Sequence, residues 1–361
     1  MENLGLNPQF WRGRRVFLTG HTGFKGGWLS LWLQRLGARV YGYALDPLTD
    51  PNLCSVARIA AGMAGETRAD VRDAAVLSAA LRAADPEVVL HLAAQPLVRQ
   101  SYADPVGTYA TNLLGTVHLL EAARQCAAVR AIVNITTDKC YENREWIWGY
   151  RENERLGGVD PYSSSKACAE LASVAYRESF FRARGVGLAT ARAGNVIGGG
   201  DWSEDRLVPD FLRAAQAGKA LVVRHPDATR PWQHVLEPLY GYLLLAQRLC
   251  TQGEAQAGAW NFGPRESDSC AVRELLGRLT QLLPGTSWQH DGSAQPHEAH
   301  LLRLDSSKAR AGLNWVPRWD LTQALARTVE WHQAWRQQQD MHEFCNAQIA
   351  SYQAAVLGSG H

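Results

Sequence analysis

The sequence predicts an α/β fold: a doubly wound parallel sheet with helices on both faces and a smaller, interleaved C-terminal region. Three observations predict it. Apolar, β-branched runs alternate with helical patterns from residue 14 to about residue 198. The runs at 87–95 and 131–138 are almost unbroken in apolar residues, as strands buried on both faces must be. The first run ends in a glycine-rich turn that opens directly into a helical pattern, the context in which spaced glycines hold phosphate.

RRVFLTG (14–20) is the first strand. TGHTGFKG follows, with Gly20, Gly23 and Gly26 three apart, and WLSLWLQRLG then reads as a helix stopped by Gly37. Glycines there let backbone approach a pyrophosphate, and a helix N-terminus adds free N–H groups and a positive dipole end. Gly20, His21, Thr22, Gly23, Phe24, Lys25 and Gly26 are therefore a candidate dinucleotide loop; the alternative is a plain tight turn. ARVYGYALD is the second strand and ends in Asp46. A carboxylate at that point accepts hydrogen bonds from an adenosine ribose and repels a 2′-phosphate, which favours NAD over NADP. Lys25 and Arg58 are the cations that could answer a phosphate instead.

GETRADVRD (65–73) is the third strand, with Asp70 and Val71 at its end as a seat for adenine. EVVLHLAAQ (87–95) is a buried strand whose Ala93 and Ala94 leave room for a ligand beside Gln95. Residues 104–126 form a long helix carrying Asn112 in its middle, where an Asn usually faces water. AIVNITTD (131–138) is the fifth strand. A helix starts at Pro161, a normal first-turn residue, and runs to about residue 185. VGLATARAGNVIGGGDW (186–202) is a strand entering a glycine-rich loop.

Beyond residue 200 the strict alternation fades. Helical patterns occupy 207–219, 235–250, 272–283 and 321–353, with a short strand at ALVVR and another candidate at WNFGP. No repeat or low-complexity linker separates the parts, so they should interleave. The expected division is a nucleotide-binding domain of 1–198 with a return segment at about 229–262, and a substrate-binding domain of 199–228 and 263–361.

Composition narrows the classes. Lys+Arg 37 against Asp+Glu 35 leaves no basic stripe, so nucleic acid and anionic membrane are not expected as partners. No uncharged apolar stretch reaches the ~18 residues of a spanning helix, and the first fifteen residues lack the apolar region of a signal peptide. The seven cysteines are scattered without a Cys-x-x-Cys pair and read as reduced thiols of a cytoplasmic protein. HEAH (297–300) lacks a metal-site spacing and is read as loop, so no metal is expected.

The chemistry concentrates in residues 134–166. Thr137-Asp138-Lys139 sits at a strand end, and Tyr162 and Lys166 are four apart, hence one turn apart on one helix face. An ammonium there stabilises a phenolate. Lowering a phenol from ~10 to ~7 takes about 4 kcal/mol, which calls for the lysine and a neighbouring cofactor charge together. Such a tyrosine can take a proton from a sugar hydroxyl while hydride leaves the carbon. Tyr-x-x-x-Lys in isolation is common; its place at the carboxyl end of a parallel sheet, where such folds bind ligands, makes it a site.

TGHTGFKG, the Tyr162–Lys166 pair and the chain length resemble the extended short-chain dehydrogenase/reductases that modify nucleotide sugars, a Rossmann-type family. TTDKCYENREWIWGYRENERLGGVDPYSSSK, the run Asn195 to Trp202 and RPWQH (230–234) are similar to its CDP-sugar 4,6-dehydratases, over roughly residues 10–330. The resemblance implies oxidation of the sugar C4 hydroxyl, with Tyr162 taking the proton, NAD as the hydride carrier, Thr137 bonded to that oxygen and Lys166 on the nicotinamide ribose. It also implies loss of water from C5 and C6 with Asp138 as acid, then return of the hydride to C6. Gln95, Asn195, Arg206, Arg230 and Gln233 would lie on the substrate side, an Arg fork suiting a diphosphate. A homodimer or homotetramer through helices 104–126 and 161–184 is the family expectation.

One departure stands out. Relatives acting on dTDP- and GDP-sugars place Glu after the Asp as the C5 base; here the residue is Lys139, which leaves the base open between Lys139 and another group. A nucleotide-sugar 4-epimerase would need no acid–base pair after Thr137. An NAD-sensing regulator would typically lack the Tyr or the Lys.

Overall fold

The expected parallel sheet is present, with seven strands. The computed structural model describes residues 5–292 and 301–358. Strands β1 (Arg15–Thr19), β2 (Arg39–Ala44), β3 (Gly65–Arg68), β4 (Val88–His91), β5 (Ala131–Ile135) and β6 (Gly187–Ala193) each fall within a segment that the sequence predicts as a strand. The short β7 (Asn195–Ile197) and β8 (Leu221–Val223), then β9 (Thr229–His234), β10 (Gly258–Phe262), β11 (Ser269–Ala271) and β12 (Trp288–His290) complete the set. The large sheet has the order β10-β6-β5-β4-β1-β2-β3, and every pairing in it is parallel. Order reverses between β1 and β4, so the crevice above their carboxyl ends is where a ligand should sit. Register brings those ends level: Thr19 pairs with Tyr43 and His91, and His91 with Asn134.

Alternate side chains explain the unbroken apolar strands. Val16, Leu18, Val88, Leu90 and Val133 pack with Trp28, Trp32 and Leu243 under the helices Phe24–Arg35 and Leu236–Gln252. Phe17, Val89 and Ile132 point the other way, toward Leu77, Leu81 and Leu119 of the helices Ala74–Ala84 and Gly115–Arg124. Each fully buried side chain of this kind contributes roughly 1.5–3 kcal/mol.

A separate core of Phe211, Trp232, Leu275, Leu276, Leu321 and Leu325 supports the second region. It carries a three-stranded sheet, β11-β9-β7, and the pair β12-β8. The helix Leu321–Arg336 serves both regions: Leu321 and Leu325 enter this core, while Trp331 and Ala334 enter that of the large sheet.

Three expected helices differ in detail, that from Pro161 by a wider turn at Arg177–Phe181. The 104–126 helix contains a wider turn at Ala110–Leu114 that rotates Asn112 inward. The 321–353 helix is two, Leu321–Arg336 and Met341–Gly358, because Asp340 caps a new start by accepting from the backbone of His342 and Glu343. The second of these lies against the Phe24–Arg35 helix, with the Tyr352 ring 5.6 Å from that of Trp32. Its Tyr352 hydroxyl donates to Glu237 Oε2 at 2.6 Å, and the same buried carboxylate accepts from the backbone N–H of Arg318 and Trp319. Among the described residues no helix is long and apolar enough to cross a membrane, and no group of three or more His, Cys, Asp or Glu could hold a metal. The HEAH stretch lies outside the described residues.

Candidate active site

A cleft of about 740 Å³ opens above the carboxyl ends of β1 to β6 and is walled on its far side by the second region. Every residue assigned to the site from sequence lines it except His21, Asn112 and Gln233. The His21 ring is fully buried, with Nε2 2.6 Å from Glu66 Oε1, in space left by Gly42, where a Cβ would come within 2.8 Å of the imidazole. Gln233 is buried too, its Nε2 donating to the Phe262 carbonyl at 2.8 Å. Asn112 accepts from Gln95 N at 2.9 Å and donates to Gln95 O and Ser165 Oγ. It braces the cleft wall from behind.

The glycine loop has the shape a pyrophosphate needs. Gly20 sits at φ 77°, and a Cβ on it would come within 2.8 Å of Ala93 N. A Cβ on Gly26 would strike the Gly20 carbonyl. The helix Phe24–Arg35 begins with Gly23 and no side-chain cap, so its first N–H groups are open to an anion. Asp46 stands on the rim, 3.7 Å from Arg68, whose other nitrogen is 2.6 Å from Glu66. Arg58, a candidate for answering a 2′-phosphate, is instead paired with Asp340 at 2.7 Å.

The chemical groups converge on one wall. Thr137 caps the single turn Asp138–Cys140, and its hydroxyl donates to Asp138 Oδ1 at 3.0 Å. Asp138 is buried, and its other oxygen lies against Gly194, where a Cβ would be 2.9 Å away. Burial pushes the Asp138 carboxyl above its usual range, against the opposing pull of Lys139, the Thr137 hydrogen bond, Lys25 and Arg230. The proton-bearing form is thereby favoured. Lys25, on the opposite wall, is pushed down to about 7 by burial, with Arg206 and Lys166 adding and Asp138 opposing.

Tyr162 and Lys166 share a helix face as expected. Lys166 Nζ donates to the Ile135 carbonyl at 3.0 Å. Burial pushes it down to about 8, opposed by Glu170 and Cys140. Burial likewise pushes the Tyr162 phenol up to about 12, against the Thr137 hydrogen bond and Arg206. Desolvation outweighs the protein's own cations here, so a phenolate near neutral pH needs more positive charge than the chain supplies.

Beside the expected Arg206, the cleft is lined by Arg99, Asp205, Arg224 and Trp232, which sequence reasoning missed. Asp205 joins Arg99 at 2.9 Å to Arg224 at 3.5 Å, spanning the cleft mouth. Arg206 Nε and the Trp232 indole N–H are buried against the cleft without a hydrogen-bond partner, as donors awaiting a ligand would be. Trp232 falls within the RPWQH signal; Arg99 carries none.

A family model described as GDP-mannose 4,6 dehydratase matches residues 17–328. The chain belongs to this family. Among curated members of these 4,6-dehydratases, it is 52% identical over 357 residues to the CDP-glucose 4,6-dehydratase of Salmonella typhimurium, covering 97% of this chain and 99% of that one. The dTDP-glucose 4,6-dehydratase of Streptomyces antibioticus is 30% identical, covering 73% of this chain and 75% of its own. Among solved structures, a double mutant of the Streptomyces venezuelae dTDP-glucose 4,6-dehydratase with NAD and DAU bound superposes at TM-score 0.76 and 25% identity, over 90% of this chain and 98% of that one. A UDP-glucose-4-epimerase from Stenotrophomonas maltophila, at TM-score 0.78 and 22% identity, covers 90% of this chain and 99% of its own and shares the fold.

Proposed function

We propose that the chain is an NAD-dependent hydro-lyase that converts CDP-glucose to CDP-4-keto-6-deoxyglucose. The observation that carries this is the near-full-length likeness to a CDP-glucose 4,6-dehydratase. The dinucleotide fits the residues present: the uncapped helix and the Gly20–Gly26 cradle suit its pyrophosphate, Asp46 a ribose, Asp70 and Val71 the adenine, and Ala93, Ala94, Tyr162 and Lys166 the nicotinamide half. When bound, it would carry a hydride away from C4 and back to C6, and its ring charge would favour the phenolate.

The chain's own groups do the rest. Tyr162 accepts the C4 hydroxyl proton, and Thr137 holds that oxygen. Lys166, as an ammonium, favours the phenolate. Asp138, whose carboxyl burial pushes upward, protonates the departing C6 hydroxyl; a 4-epimerase has no use for such a donor. Lys139 takes the C5 proton or steadies the enolate. Arg206 and Arg230 hold the diphosphate beside Asn195 and Gln95. The test is incubation with CDP-glucose and no added NAD, following the keto sugar by its absorbance in alkali. No product, or faster turnover of dTDP-glucose or GDP-mannose, would overturn the reading.

Cofactor choice follows from Asp46 and from the neutralised Arg68 and Arg58 beside it. Stripped protein should regain activity with NAD well before NADP, and Asp46→Ala should narrow the gap. Equal activity with NADP in the parent protein refutes this. Lys166 sets a second expectation: its ammonium is complete below about 8 and lost above it. The kcat/KM profile should therefore fall on the alkaline side from about pH 8, and a plateau through pH 10 would exclude Lys166 as the group.

Exposed Val106, Leu114, Leu171, Val174 and Phe180 lie along the segments 105–124 and 161–181 and support a homodimer or homotetramer. The free cysteines support a cytoplasmic setting.

A further inference from the structure

Behind the cleft, and not lining it, Arg192 of β6 pairs with Glu170 of the helix Pro161–Tyr176; they are 3% and 1% exposed. Glu170 accepts four donors. Thr136 Oγ1 at 2.5 Å and Arg192 Nε at 2.9 Å reach Oε1, while Thr190 Oγ1 at 2.6 Å and Arg192 Nη2 at 2.7 Å reach Oε2. Arg192 Nη1 donates onward to the Tyr141 hydroxyl at 2.8 Å and the Glu152 carbonyl, and Tyr141 donates to Asn261. A buried ion pair is weak evidence of a stabilising role, since apolar replacements are often neutral or better. This one has a particular placement.

Glu170 is one helical turn from Lys166 and two from Tyr162, on the same face. Its partner Thr136 is the residue before Thr137. A single carboxylate thus ties the loop bearing Thr137 to the helix bearing Tyr162 and Lys166. It is also an anion that Lys166 faces from its own helix. The other groups facing Lys166 are Cys140 from the loop after β5, Lys25 from the glycine loop and His91 from β4. Glu170 itself faces Arg192 from β6 and Cys140.

We propose that Glu170, held by Arg192, is a positioning residue for the dehydration: it fixes Thr137 relative to the Tyr162–Lys166 pair and supplies the negative charge that keeps Lys166 an ammonium. This rests on the reading of Tyr162 and Lys166 as the catalytic pair.

Three variants separate the roles. Glu170→Asp keeps the charge but shortens the reach by one methylene; kcat on CDP-glucose should fall on the order of 10- to 100-fold, with the alkaline limb unmoved. Glu170→Gln leaves Arg192 unopposed; kcat should fall about 100-fold and the alkaline limb should move down by about one pH unit. Glu170→Gln with Arg192→Met removes both charges, so the limb should return toward its parent position while kcat stays low. Affinity for CDP-glucose, titrated by calorimetry, should stay within about three-fold in all three, because the substrate side is untouched.

Parent-like kcat in Glu170→Asp overturns the positioning role. An unmoved limb in folded Glu170→Gln overturns the charge role. Should Glu170→Gln not fold, the double variant, which leaves no unpaired buried charge, decides, and parent-like kcat there overturns the proposal. An active Tyr162→Phe control would show that the Tyr162–Lys166 reading is at fault instead.

Discussion

Tyr162→Phe is expected to give a folded protein that makes no keto sugar from CDP-glucose. The ring is buried and the substitution removes one oxygen, so packing is kept. Loss of one hydroxyl costs about 0.5–1.5 kcal/mol net, a few degrees of melting at most. The chemical loss is far larger, because among the described residues that line the cleft Tyr162 alone carries a phenol. A positioned proton acceptor is worth up to about 10⁴-fold, or roughly 5 kcal/mol of barrier. Substrate affinity should be nearly unchanged, since the phenol acts on the reacting atoms. If the folded variant retains more than about 1% of kcat, Tyr162 is not the group that takes the C4 proton.

Asp138→Asn should slow the loss of water far more than the oxidation at C4. The amide keeps the shape and the acceptor for Thr137 but cannot deliver a proton to a leaving hydroxyl. Such help is typically worth ~10²–10⁴-fold. The 4-ketoglucose nucleotide should then build up and be trapped as a C4-deuterated sugar by borodeuteride. Linkage gives a second check. The folded carboxyl is raised above its unfolded value, so its protonation favours the fold at low pH, and that contribution is lost as pH rises. The Asn variant should therefore melt no lower than the parent above neutral pH. Equal slowing of both chemical steps would remove Asp138 from the elimination. In the same assay in deuterated water, Lys139→Met should suppress deuterium entry at C5 if Lys139 is the base; unchanged exchange assigns it to the enolate.

How much of this was legible depended on distance along the chain. The first strand, glycine turn and helix form a local unit, and the Tyr162–Lys166 spacing is a property of one helix, so both could be read directly. Asn112, His21 and Gln233 could be placed near the site, but which way each side chain points is decided by Gln95, Glu66 and Phe262, all remote in sequence. Glu170 and Arg192 are 22 residues apart on different elements, and nothing local marks them as partners. The break in the last helix did leave a signal, the carboxylate of Asp340 placed to cap a new turn. No Gly or Pro accompanies it, so the helical pattern runs on through it. The elevated Tyr162 phenol was not legible either, since burial is a tertiary quantity.

The helix Met341–Gly358 completes the covering of a helix near the opposite end of the chain. Trp32 belongs to the first helix after β1, yet Tyr352 is one of the rings packed on it, anchored by Glu237. During synthesis at ~5–20 residues per second, the interval between those two residues is on the order of tens of seconds. Throughout it the nascent chain carries a tryptophan-rich face with nothing yet made to cover all of it. Growth of the chain and closure of its core therefore run in different orders. Synthesis of Met341–Gly358, and not emergence of the first layer, is the event that completes this packing.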